Sequence, residues 1–195
     1  MNRTPVDIGQ FRNHLSFGAE EDRHLLWEDD WAGVLGTFFL RESVEWLGDE
    51  KAFLFTSGPG FDNIHCRQLV EISLHRVCTR LELLGFGEYT ELPEELLVAY
   101  EDGTESRDAF FVPDLAFQTQ NEGGYYYDAV WANTWNRDRH VEPYLRVTAN
   151  TGTRGHFYRM PCPISRPDKP IRSITLPINE LLHIYAVTCV AGQES

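Results

Sequence analysis

The chain has no long hydrophobic run, few basic residues and little sulfur, and each shortage excludes a class of function. Nothing among its 195 residues stays apolar over the roughly 20 positions that a membrane-spanning helix needs. The opening Met1-Asn2-Arg3-Thr4-Pro5-Val6-Asp7 has no basic segment followed by an apolar core, so the expectation is a soluble, cytoplasmic protein without a membrane partner. Lys and Arg number 17 against 30 Asp and Glu, a net charge of −13. A surface of that sign repels phosphate backbones, and no nucleic acid is expected as a partner. The four cysteines, Cys66, Cys78, Cys162 and Cys189, form no C-x-x-C pair and are expected to be free buried thiols.

Catalytic signatures are missing as well. The seven histidines, at positions 14, 24, 65, 75, 140, 156 and 183, never fall as H-x-H or H-E-x-x-H, so a metal site would have to assemble from distant strands. There is no G-x-S-x-G elbow, and Gly58-Pro59-Gly60 lacks the lysine and helix of a phosphate-binding loop. The acidic groups Glu20-Glu21-Asp22 and Glu28-Asp29-Asp30 read as a solvated loop, and no carboxylate pair singles itself out for glycoside hydrolysis. No cofactor is expected beyond a structural calcium ion, for which Asp62 and Asn63 offer side-chain oxygens; a turn held by those same side chains is the alternative.

What the chain does have is period-two hydrophobicity. Lys51 to Thr56, Gln68 to Leu74, Val77 to Leu83, Val130 to Trp135, Tyr144 to Thr148 and His156 to Met160 each read as a strand. Leu96–Tyr100 and Ala109–Val112 flank Glu101-Asp102-Gly103-Thr104, a strong hairpin signal. Ile171 to Leu176 alternates, Pro177 and Asn179 interrupt it, and Leu182 to Val190 is apolar on both faces, which predicts a final hairpin ending in a central covered strand. Nine or ten short strands without a long helix predict an all-β fold, an antiparallel β-sandwich, with the first and last strands close together. No linker or repeat divides it: residues 1–50 are expected as an N-terminal extension packed on a sandwich domain of residues 51–195.

The succession Asp62-Asn63-Ile64, Cys66-Arg67-Gln68, Leu81-Glu82-Leu83-Leu84-Gly85, Tyr100-Glu101-Asp102-Gly103, Ile171-Arg172-Ser173-Ile174-Thr175-Leu176-Pro177 and His183-Ile184-Tyr185-Ala186 resembles the galactose-binding-like jelly-roll modules appended to bacterial glycoside hydrolases. The resemblance spans about residues 51–190. It implies a jelly-roll sandwich that recognises sugars and sometimes carries a structural calcium ion.

The stretch from Tyr125 to His140 combines aromatic faces with planar polar groups, the chemistry that meets a sugar ring. Trp131 and Trp135 would share a strand face, as a stacking platform or as core plugs. Arg154, His156 and Tyr158 alternate and are expected on one exposed face, with Phe157 turned inward. The expected function is non-catalytic carbohydrate or glycan binding through Trp135, Arg139, His140, Arg154, His156 and Tyr158. The alternatives are a structural protein that forms homo-oligomers and a small glycan-directed hydrolase.

Overall fold

The computed structural model describes the chain except for residues 1, 19–29, 32–33, 36–37, 58–59, 89–91, 114–140, 151, 153 and 193–195. Its strands in chain order are β1 (Asn2–Val6), β2 (Phe17–Gly18), β3 (Asp30–Trp31), β4 (Val34–Leu35), β5 (Phe39–Leu40), β6 (Glu45–Trp46), β7 (Ile64–His65) and β8 (Glu71–Arg76). They continue with β9 (Arg80–Gly87), β10 (Leu92–Tyr100), β11 (Glu105–Val112), β12 (Glu142–Thr148), β13 (Arg154–Pro163), β14 (Ile171–Thr175) and β15 (Leu182–Ala191). Among the described residues there is no α-helix, only short 3₁₀ turns, and so no helix long and apolar enough to cross a membrane.

The fold is an all-β antiparallel sandwich. One sheet has seven strands in the order β1-β15-β9-β13-β12-β6, with β7 pairing β15; the other has four in the order β11-β10-β14-β8. β15 pairs β9 from Leu182 to Val190, β1 from Val187 to Ala191, and β7 at His183 and Ile184. Every residue of β15 from Leu182 to Val190 is buried, as is every residue of β9 after Arg80. These strands carry large apolar side chains on both faces, and protein covers both.

The four-stranded sheet covers one face. Leu96, Val98, Phe110 and Ile174 are fully or almost fully buried there, and the Cys162 thiol reaches the Asp108 carbonyl across the gap. Aromatics from the first third of the chain cover the other: Phe17, Phe39 and Phe55 meet Phe86, Phe157 and Tyr185 with ring centroids 5.4–6.4 Å apart. Glu82 of β9, fully buried, is ringed by Arg3, Arg80 and Arg159 at 3.2, 2.6 and 3.6 Å. All four cysteines are buried and free, as expected; burial pushes the Cys162 thiol up to about 12.

The hairpin across Asp102-Gly103 is present as β10 and β11, with Gly103 at φ 81° and Asp102 accepting from the Thr104 N–H at 3.0 Å. β1 and β15, the first and last strands, are neighbours. Two expectations are corrected. The last two strands do not pair with each other: β14 lies between β10 and β8, and β15 lies in the opposite sheet. Residues 176–181 cross between sheets, held by Leu176 N–H to Val70 O and Asn179 N–H to Cys66 O, at 3.0 and 2.8 Å. Lys51 to Thr56 is not a strand: Asp49 caps a 3₁₀ turn over Glu50–Ala52, and extended coil follows. Phe53 there packs on Tyr144, and Phe55 on Trp46, Phe157 and Tyr185, without making a ladder.

A β-bulge at Ile184–Ala186 shifts the register of β15 on β9 just after His183. Gly85 permits it, because a Cβ there would lie 2.0 Å from the His183 carbonyl oxygen. Gly85→Ala is therefore expected to destabilise the protein by about 3 kcal/mol, since backbone must move to admit the methyl group. A urea melt with an unchanged midpoint would contradict this.

Candidate metal centre

The bulge places His183, which is fully buried, beside His65 of β7 and His14 of the segment preceding β2. The ring centroids of His65 and His183 are 4.2 Å apart, and His14 lies 5.0 Å from each. The nitrogens these rings offer all lie within 4.8 Å of one another. In a tetrahedral zinc site neighbouring ligand atoms are about 3.3 Å apart, so the three residues would draw in modestly on an ion.

Asn63 and Asp62 hold this arrangement. His14 forms an antiparallel bridge with Asn63, and its carbonyl accepts from the Asp62 N–H at 3.0 Å. Asp62, fully buried, accepts at one oxygen from the Ser16 and Phe17 N–H groups at 2.9 and 2.8 Å, and at the other from Ser16 Oγ and Asn63 Nδ2, both at 2.7 Å. Because Ser16 Oγ donates to Asp62, the Tyr185 hydroxyl 2.7 Å away donates to Ser16. Burial raises the Asp62 carboxyl and these donors pull it back. Asp62 and Asn63, the two residues expected as calcium oxygens, thus spend those oxygens on the protein's own donors.

The same bonds assign the ring protons. A carboxylate only accepts, so Asn63 turns Nδ2 to Asp62 and Oδ1 to His183 Nδ1, 3.0 Å away. His183 must therefore carry its proton on Nδ1, leaving a lone pair on Nε2. His65 Nε2 contacts the Glu180 carbonyl, and Arg67 Nε lies 3.2 Å from the same nitrogen. The carbonyl calls for a proton on Nε2 and the Arg67 N–H for a lone pair there, so the two contacts hold the ring in place without fixing its tautomer. His14 Nδ1 lies 3.1 Å from Asn63 Nδ2, a donor, so its lone pair accepts from that amide, and His14 would exchange this bond for a bond to an ion. Phe86 stacks on His183 at 5.3 Å and 23°. The Glu88 carboxylate comes within 2.9 Å of His183 Nε2. Three imidazoles oriented by carbonyl and amide partners form the donor set of a zinc-class ion, whereas calcium takes six or more oxygens.

Six residues are expected from sequence to bind a sugar. Trp135, Arg139 and His140, with Trp131, fall outside the described residues. Arg154 is exposed, but His156 and Tyr158 keep only 7% and 6% of their surface, so the face expected to be open is covered there. His156 lies 3.4 Å from Arg146 Nε. The histidine cluster has no linear signature, because its members are 51 and 118 positions apart; the one sequence signal was Asp62-Asn63 beside His65. No protein-family model matches the chain, and no curated protein matches it.

Burial, reinforced by His65, His14 and Arg67, holds His183 well below the usual histidine value of 6.5. The unfolded chain takes up a proton near that value and the folded chain does not, so stability present above it is lost as pH falls. The urea midpoint of chelator-treated protein should drop between about pH 7 and about pH 5, and His183→Gln should flatten the slope. A midpoint constant across that range would contradict the assignment.

Proposed function

We propose that the protein is a metal-binding β-sandwich protein that takes one zinc-class divalent ion at His14, His65 and His183. The observation that carries this is the convergence of three imidazoles from three chain segments, with the His183 proton held on Nδ1 by Asn63. The acidic surface, net −13, adds a long-range attraction for cations. Chelator-treated protein should bind one Zn²⁺ per chain by calorimetry, and zinc at 100 times its Kd should stabilise the fold by about 2.7 kcal/mol. His183→Ala and His65→Ala should remove both effects. Absence of zinc uptake, or a response to Ca²⁺ in its place, would reject the reading.

A second reading keeps the carbohydrate recognition that the galactose-binding-like resemblance implies. In its favour is an open groove of ≈ 660 Å³ on the outer face of the four-stranded sheet, lined by Leu69, Leu97 and Ile178 with Glu95 and Arg107 beside them. An apolar floor with a few planar polar groups suits a sugar ring. A glycan array should then give hits that Arg107→Ala weakens about tenfold, by loss of roughly 1.4 kcal/mol. An array without hits, or hits indifferent to Arg107→Ala and to Arg154→Ala, would count against it.

A further inference from the structure

Glu88 is the first residue after β9, and its backbone N–H donates to the Leu181 carbonyl at 2.7 Å. That bond sets it against the turn entering β15, with its side chain 18% exposed and its Oε1 2.9 Å from His183 Nε2. Because Asn63 keeps the His183 proton on Nδ1, the atom aimed at Glu88 is a lone pair, and the carboxylate oxygen also offers only lone pairs. Two such atoms at this distance are joined by a positive charge between them, a proton on Nε2 or a metal ion bound by both. At bond lengths of about 2.0–2.2 Å, an ion joined to both would subtend an angle of about 90°, and a small outward movement of Glu88 would bring it to tetrahedral.

Charge leads to the same place. Three neutral imidazoles leave a divalent ion uncompensated, and the Arg67 guanidinium 3.2 Å from His65 adds to the positive field. Asp62, the other buried carboxylate in the neighbourhood, has its oxygens turned to Ser16, Phe17 and Asn63.

We propose that Glu88 is the fourth ligand, closing an N₃O site that clamps the segment around His14 onto the seven-stranded sheet. This inference rests on the metal-binding reading above. The four ligands come from four places in the chain: the segment before β2, β7, the end of β9, and β15. Structural zinc sites are four-coordinate and closed, and their binding free energy appears as folding free energy. The ion is therefore a fastener for the N-terminal layer and leaves no open position for a substrate.

Co²⁺ titrated into chelator-treated full-length protein tests this, since four-coordinate Co²⁺ absorbs strongly in the visible and higher-coordinate Co²⁺ weakly. The wild type should show the strong band. Glu88→Gln should lose most of it and bind about 100-fold more weakly, because even an outer partner of a ligand is worth 10–100-fold. Glu88→Asp, which keeps the carboxylate, should recover part of both. Zn²⁺ should protect the amides of residues 12–18 from hydrogen exchange in the wild type and less so in Glu88→Gln. If Glu88→Gln matches the wild type in band, affinity and protection, Glu88 is not a ligand while the three-histidine reading stands. If the wild type takes up neither Co²⁺ nor Zn²⁺, the metal-binding reading itself fails, and this inference with it.

Discussion

Strands β9 and β15 bury both faces along almost their whole length, and that demand shapes the rest of the molecule. A side chain such as Leu84, Phe86 or Ile184 contributes roughly 1.5–3 kcal/mol only when it leaves water entirely. One sheet can cover one face. The four-stranded sheet does so, and the other face needs a layer from somewhere else in the chain. Phe17, Phe39 and Phe55 supply it, resting on Phe86, Phe157 and Tyr185. The seven-stranded sheet is thus the middle of three layers.

The candidate metal centre follows from that layering. To bring Phe17 over the sheet, the chain must pass Ser16 and His14 across β7, and Asp62 and Asn63 anchor this crossing through hydrogen bonds to backbone and side chain. The β15 bulge then turns His183 toward the crossing, and the missing side chain at Gly85 gives the bulge room. One buried amide, Asn63, ties the layer to the sheet and sets the proton of His183. Packing and site chemistry therefore share the same few bonds, and a change at Asn63 would disturb both.

Much of this was legible in advance. Alternation, and for β15 an apolar run on both faces, located β8 through β15 to within about four residues, and Asp102-Gly103 named its hairpin because the turn chemistry is local. Lys51 to Thr56 misled for a physical reason: alternating aromatics look the same whether their segment joins a ladder or packs as coil on an aromatic cluster. The final strands misled because turn residues report a reversal of the chain without reporting whether it stays in one sheet. His14, His65 and His183 stood in the sequence as isolated residues, and no periodicity links positions brought together by a three-layer stack.

Local alternation and composition were enough to specify the antiparallel sandwich, the buried thiols and the covering of β15 on both faces. Which strands share a sheet, what covers the outer face and which histidines meet are settled by the three-dimensional packing. Those depend on contacts between residues as far apart as His14 and His183, and a bulge at Ile184–Ala186 that leaves no mark on the pattern of the strand around it.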